Sequence, residues 1–376
     1  ISGSAGASTS IRTSVPTRIS AGMWVTCAII DGGVKCWGRN DNGQLGNGST
    51  ANGYEPTQVQ GLVTDASAIA TGSYHACAVV RGAAYCWGSS GWSGASSALG
   101  NNVTTESAVP VPVAGLSAGV TSISAGWGFS CAVVNSQAMC WGDNTWGQLG
   151  SGDTIGTVAP VPVQGLTSGV TAISAGNGTT CAIVNGGAMC WGDNSSGKVG
   201  DGTLINSTVP VPVRDLSSGV TAISVGLFNT CAVAHGAAYC WGWNEFGAAP
   251  DDFVDYWGAA RSELTSTVPV RVSGLSTGVT AIALGEDNTC ALVDGGAKCW
   301  GWNEYGGLGN PDYRQSLSVP IPVLGLSSGV TALTAGYRHA CALADEKVMC
   351  WGSNFAGALG IASAEQSATP VQIVGL

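Results

Sequence analysis

Apolar and polar positions alternate along this chain in short bursts, and no stretch repeats its apolar residues at the spacing of an amphipathic helix. Val170-Thr-Ala-Ile-Ser-Ala-Gly176 and Val330-Thr-Ala-Leu-Thr-Ala-Gly336 read as strands of small residues. Two apolar runs around a turn dipeptide follow each of them. In Cys27-Ala-Ile-Ile-Asp31-Gly32-Gly-Val-Lys-Cys36 the Asp-Gly pair suits a type I′ turn, whose central residues both need positive φ. A two-residue turn there sets Ile30 opposite Gly33, Ile29 opposite Val34, Ala28 opposite Lys35 and Cys27 opposite Cys36. Extended segments such as Val109-Pro-Val-Pro-Val113 and Val209-Pro-Val-Pro-Val213 come next. Their prolines cannot donate at alternate positions, so they belong at a sheet edge.

The cysteines recur in pairs whose members are always nine positions apart: Cys27 with Cys36, Cys77 with Cys86, Cys131 with Cys140, Cys181 with Cys190, Cys231 with Cys240, Cys290 with Cys299, and Cys341 with Cys350. Counting outward from the turn, each pair falls on a non-hydrogen-bonded site, where facing Cα atoms lie roughly 4.5 Å apart, inside the range a disulfide accepts. The same register follows at Arg81-Gly82, Asn185-Gly186, His235-Gly236 and Asp294-Gly295, whereas Asn135-Ser136 and Asp345-Glu346 are poorer turn dipeptides. Seven cross-strand disulfides are predicted, each worth roughly 2–3 kcal/mol by loop closure. They imply an oxidising compartment, secreted or cell-surface, whether extracellular or periplasmic. Zinc is set aside because two cysteines fixed on one hairpin lack partner ligands.

First cysteines recur at intervals of 50, 54, 50, 50, 59 and 51 residues, a period typical of propeller blades. Ala, Ser and Gly in the first strand suit a crowded position at a central axis, and the proline segments suit the rim. The prediction is an all-β, seven-bladed β-propeller with four short antiparallel strands and one disulfide per blade. Residues 1–16, rich in Ser, Gly and Thr, read as a flexible lead-in, and 17–376 as one propeller. Pro370–Leu376 stops where a new inner strand would begin, and Thr17–Gly22 can supply it.

Trp37-Gly-Arg-Asn-Asp-Asn-Gly-Gln-Leu-Gly46, Trp141-Gly-Asp-Asn-Thr-Trp-Gly-Gln-Leu-Gly150 and Trp300-Gly-Trp-Asn-Glu-Tyr-Gly-Gly-Leu-Gly309 carry a resemblance that covers the chain from about Arg18 to Leu376. They are similar to the signature of the regulator of chromosome condensation (RCC1) repeat family. That resemblance implies the same propeller fold. Where family repeats carry an aliphatic residue in the strand after His, Tyr74-His-Ala-Cys-Ala-Val79 and Arg338-His-Ala-Cys-Ala-Leu343 carry cysteine, which marks a disulfide-bearing branch.

Composition narrows the function. Charged residues are only 10% of the chain and the formal net charge is −10, so a nucleic-acid partner, which requires a basic surface, is excluded. No apolar run is long enough to span a bilayer, so no membrane insertion is expected. Half of the 14 tryptophans, Trp37, Trp87, Trp141, Trp191, Trp241, Trp300 and Trp351, follow a second cysteine and read as blade-to-blade packing residues. Trp24, Trp92, Trp127, Trp146, Trp243, Trp257 and Trp302 vary in position and are candidates for exposed contacts.

The unit of 59 residues inserts Ala248–Arg261 on one face. Asp251, Asp252 and Asp255 with Phe253, Tyr256 and Trp257 offer carboxylates and flat apolar surfaces suited to a protein or glycan. The repeated Trp243-Asn-Glu245-Phe246 and Trp302-Asn-Glu304-Tyr305 extend that candidate partner site. Glu286, Asp287 and Asp312 make this sector the most acidic, so a basic partner would be steered towards it. Calcium is set aside for want of a matching loop. Of the histidines, His75 and His339 share one repeat position and His235 occupies a turn, so no catalytic constellation forms. No cofactor is implied. Glycosylation sequons start at Asn47, Asn102, Asn177, Asn194 and Asn206.

The expected function is a non-enzymatic extracellular propeller presenting a loop face to a protein or glycan, as a surface, sheath or adhesive component, with self-assembly of rings left open. The alternative is an inhibitor of a secreted enzyme, which the resemblance suggests through the family's β-lactamase-inhibiting members. Guanine-nucleotide exchange, performed by the family's namesake, is a weaker alternative because disulfides separate this chain from cytosolic GTPases.

Overall fold

Each hairpin forms because its turn residues reach positive φ. Asp31 and Gly32 sit at φ 49° and 80°, and the poorer dipeptides follow the same path, with Asn135 and Ser136 at 49° and 64° and Asp345 and Glu346 at 47° and 62°. The register is the predicted one, with Ile30 opposite Gly33 and Cys27 opposite Cys36. This computed structural model describes residues 16–90, 97–103, 106–243, 265–286, 288–362 and 365–376.

All seven predicted cysteine pairs are disulfides, one per blade. Cys27 is bonded to Cys36, Cys77 to Cys86, Cys131 to Cys140, and Cys181 to Cys190. Cys231 is bonded to Cys240, Cys290 to Cys299, and Cys341 to Cys350, and no cysteine is left free. Cα separations in blades 1 and 2 are 4.1 and 4.0 Å, shorter than the roughly 4.5 Å expected of a non-hydrogen-bonded pair and well short of the roughly 5.5 Å of a hydrogen-bonded one.

Four strands make each of seven antiparallel sheets, always in chain order, so no blade borrows a strand from the far end of the chain. In blade 1 these are Pro16–Ala21, Val25–Ile30, Gly33–Gly38 and Gly53–Gln58. The inner strands of later blades are Ala66–Thr71, Val120–Ala125, Val170–Ala175, Val220–Val225, Val279–Leu284 and Val330–Ala335, and each packs on the next around the axis. Pro16–Ala21 packs on Val330–Ala335 and closes the ring. The proline segments, such as Ser107–Pro112, are rim strands paired on one side only.

The core lies between blades. Cys131, Val133 and Cys140 of blade 3 pack against Ile173, Ala182 and Trp191 of blade 4, and six similar clusters fill the other junctions. Antiparallel order fixes two faces. The loops joining inner to second strand and third strand to rim strand emerge on one, the loop face. Hairpin turns and blade-to-blade connections emerge on the other, the turn face.

Candidate docking face

Two rings of contact between adjacent blades surround the axis, one of backbone groups and one of side-chain hydroxyls. Gly22, Gly72, Gly126, Gly176, Gly226, Gly285 and Gly336 end the inner strands, and a Cβ at Gly285 would fall 2.3 Å from Gly336 O. Here glycine is required by close approach. The next residue donates across the junction, as in Met23 N to Gly72 O at 3.2 Å and Tyr337 N to Gly22 O at 3.2 Å. Below this ring, hydroxyls staple adjacent blades. Ser20, Ser124, Ser174, Ser224 and Thr334 accept from the backbone N–H of Thr71, Ala175, Val225, Leu284 and Ala21 at 2.9–3.2 Å. Ala70 and Ala283 hold this position in blades 2 and 6. A cavity of about 320 Å³ lies at the axis among these residues, and Trp127, Leu227, Glu286 and Tyr337 also line it.

The seven repeated tryptophans are buried, as expected of packing residues. Trp87, Trp141, Trp191 and Trp241 donate Nε1–H to carbonyls of the preceding blade's loop at 2.8–2.9 Å. At junctions 2/3 and 7/1 a histidine joins this carbonyl system. Thr26 Oγ1 spends its one proton on Ala358 O at 2.9 Å, so His339 Nε2, also 2.9 Å away, must donate to that hydroxyl. Ser130 stands likewise between Ala98 O and His75 Nε2, at 2.9 and 2.8 Å. Both Nδ1 atoms keep their lone pairs and have no hydrogen-bond partner. Burial alone depresses both imidazoles to about 4.

Where the loop residue is Ala98 or Ala358, the slot's polar group comes from His75 or His339 on the strand. In blade 6 it comes from Asn288, whose Nδ2 donates to Gly307 O at 3.2 Å. In blade 4 it comes from the loop itself. Lys198 Nζ donates to Asn177 O at 2.6 Å and Leu227 O at 3.3 Å, and pairs with Asp193 at 3.0 Å. Burial pulls Lys198 below the ordinary lysine value, and Asp193 opposes that shift. Each of these groups is placed by blade packing. Among the described residues no cluster of three His, Cys, Asp or Glu could hold a metal ion.

Aromatic residues form an arc on the loop face. Trp302 and Tyr305 of blade 6 flank Arg338 of blade 7, whose guanidinium lies 4.6 and 5.0 Å from their ring centres and 4.9 Å from Tyr337. Tyr337 meets Trp24, and Trp24 meets Phe355, at 4.8 and 4.7 Å. Arg39 bridges Trp24 and Tyr74, and Tyr74 meets Trp127 at 5.8 Å. Trp127, Trp146 and Phe355 are 37%, 50% and 57% exposed.

Of the predicted partner site, Trp243, Trp302, Glu304 and Tyr305 lie on this face. Trp243 packs edge-on against Phe228 at 4.6 Å, Trp302 and Tyr305 hold Arg338, and Glu304 is exposed. Glu245, Phe246, Asp251, Asp252, Phe253, Asp255, Tyr256 and Trp257 lie outside the described residues, as do Trp92, Asp287 and residues 1–15. Among the sequons, Asn194 is buried and donates its amide to Thr203 O and Ile205 O at 3.0 and 3.2 Å, so it is closed to a glycan in the folded ring. Sequence reasoning missed the hydroxyl staples, although Ser or Thr at one inner-strand position in five units was the signal. It also missed Tyr74, Tyr337, Arg39, Arg338 and Phe355, which occupy positions where the repeats differ.

A family model described as the Regulator of chromosome condensation (RCC1) repeat matches residues 31–79, 81–133, 138–183, 185–233 and 294–343. A second model of that repeat matches 170–198, 279–306 and 330–358. The ultraviolet-B receptor UVR8 of Arabidopsis thaliana is 34% identical over 112 residues, 28% of this chain and 25% of the receptor, so the match spans a quarter of that relative. Human WBSCR16 superposes with a TM-score of 0.76 at 19% identity, covering 91% of this chain and 94% of that one. Prp20p of Saccharomyces cerevisiae does so with a TM-score of 0.77 at 19% identity, covering 96% and 87%. At these identities the two structures speak for the fold alone.

Proposed function

We propose, from the premise that this chain belongs to the RCC1 repeat family, that it is a non-enzymatic propeller of an extracellular compartment whose loop face binds a protein or glycan partner. The observation that carries this reading is the aromatic arc. Repeated tryptophans are buried in the junctions, whereas Trp127, Trp146 and Phe355 break the repeat and stay open on one face. Flat aromatic surface with a polar surround is the composition of binding hot spots. The seven disulfides support an oxidising environment, and among the described residues no helix is long and apolar enough to cross a membrane.

Binding rather than catalysis is also supported by the polar groups buried between blades. His75 and His339 are engaged with hydroxyls whose protons are already committed to carbonyls, so neither hydroxyl is activated as a nucleophile. The test is capture of partners from the native extracellular fraction by wild type, by Trp127→Ala/Trp146→Ala and by a chain lacking residues 248–261. Loss of the same captured species in the tryptophan variant supports the arc as the site. Unchanged capture by both variants sinks the loop-face reading.

A further inference from the structure

The net charge of this ring is segregated by face. With each described residue assigned to the face on which its loop or nearer strand end lies, the loop face holds eleven carboxylates against four cations, and the turn face six against seven. The imbalance is sharper in what reaches solvent. Lys198 is buried with its ammonium on two carbonyls and Asp193. Arg338 is stacked between Trp302, Tyr305 and Tyr337, and Arg39 pairs with Asp41 while lying over Trp24. Arg314 is the remaining cation on this face among the described residues.

The carboxylates do the opposite. Glu55, Glu106, Asp153, Glu304, Asp312 and Glu365 are exposed. Asp153 is held below the usual carboxylate range by the Ile155 N–H and the Ser151 hydroxyl, so its charge persists into mild acid. Open aromatic surface lies along the chain from such groups, with Trp146 between Asp143 and Asp153, and the Asn354 N–H beside Phe355 bonding Glu365 O at 2.8 Å. Carboxylates attract cations by charge and aromatic faces attract them through the ring quadrupole. The two features therefore select the same chemistry, and they repel polyanions.

We infer that the loop face docks a cationic protein surface, one presenting several Lys or Arg side chains, and that the turn face takes no part. This rests on the loop-face reading above and narrows it to one class of partner. An Arg-Gly repeat peptide seats its guanidinium groups on Trp127, Trp146 and Phe355 and pairs them with neighbouring carboxylates.

The experiment immobilises that peptide, its Glu-Gly counterpart and a neutral glycan oligomer, and measures binding of the intact disulfide-bonded chain. The Arg-Gly peptide should bind, weakening steeply from about 0.1 to about 1 M salt as the screening length falls from about 10 to about 3 Å. Glu55→Lys/Glu304→Lys/Glu365→Lys should weaken it by about tenfold or more, and Trp146→Ala several-fold. Arg271→Glu/Lys347→Glu, on the turn face, should leave it unchanged, and near-ultraviolet circular dichroism checks that every variant is folded. Binding of the Glu-Gly peptide or the glycan, lost in Trp146→Ala, with no Arg-Gly binding, overturns the cationic partner and leaves the loop-face reading standing. Arg-Gly binding that ignores both the lysine substitutions and Trp146→Ala puts the contact off the loop face and overturns both readings, whereas no Arg-Gly binding overturns the cationic partner alone.

Discussion

Junctions 4/5 and 6/7 are made from the same repeat and are held in different ways. At 4/5 the Val225 N–H donates to Ser174, the Thr230 hydroxyl and Trp241 indole both donate to Lys198 O, and the Lys198 ammonium reaches Leu227 O. At 6/7 alanines, Ala283 and Ala340, stand where both hydroxyls would be. Trp351 still donates to Gly307 O at 3.0 Å, but the cross-junction side-chain contact is now Arg338 with Trp302 and Tyr305. Repeat residues therefore secure the ring until they are lost, and a residue unique to its blade then takes over. An aromatic pair that looks free for a partner in the sequence is, at 6/7, part of the joint.

The largest effect should come from what the two junctions share. Trp241→Ala and Trp351→Ala each remove a fully buried indole and leave a carbonyl short of a donor. Each should cost about 3–5 kcal/mol. Guanidinium unfolding under non-reducing conditions measures this. If Trp351→Ala costs far less than Trp241→Ala, the two junctions do not share a common core and the comparison fails.

A third kind of junction, at 2/3 and 7/1, adds pH dependence. Burial holds folded His75 and His339 near 4, whereas an unfolded histidine titrates near 6.5. As pH falls below about 6.5 the unfolded chain takes up protons first, because burial disfavours the charged imidazole in the folded ring. Their contribution to stability is complete above about pH 6.5, drains between there and about 4, and is flat below. The loss is about 3 kcal/mol for each histidine. His75→Asn/His339→Asn borrows the residue used in blade 6 and should flatten that segment of the stability curve relative to wild type. Parallel curves for the two proteins would show that the histidines are not the titrating groups.

How much of this was legible follows from what repeats. The turn dipeptides, the nine-residue cysteine spacing and the proline segments each constrain the backbone locally, so register, disulfides and rim strands could be read directly. The buried role of Trp37 and its equivalents was legible because one position recurs seven times. The hydroxyl staples were half visible, since Ser174 and its equivalents looked merely small. Arg338 and Lys198 were not legible. Their partners Trp302 and Leu227 are fixed by which loops the ring brings together across a junction, and a single sequence carries no trace of that adjacency.

Arg338→Ala tests the substitute joint. It should cost about 1–2 kcal/mol, less than either tryptophan change, because Arg338 as a whole is half-buried whereas both indoles are fully buried. A double-mutant cycle with Trp302→Ala separates the clasp from general packing and should give a coupling of about 0.5–2 kcal/mol. Zero coupling would return Trp302 to the pool of free docking residues.

The smallest effect is a gain. Ala283→Ser would place a hydroxyl where Ser224 and Thr334 have theirs, within reach of the Ala335 N–H across junction 6/7, and the inner strand tolerates serine at this position in blades 1, 3, 4 and 5. One added hydrogen bond at a partly buried site should raise stability by about 0.5–1.5 kcal/mol. The gain should be larger in the Arg338→Ala background, where junction 6/7 has lost its own device, than in wild type. Equal gains in both would mean that staple and clasp act independently, and that Arg338 is not a replacement for the missing hydroxyls.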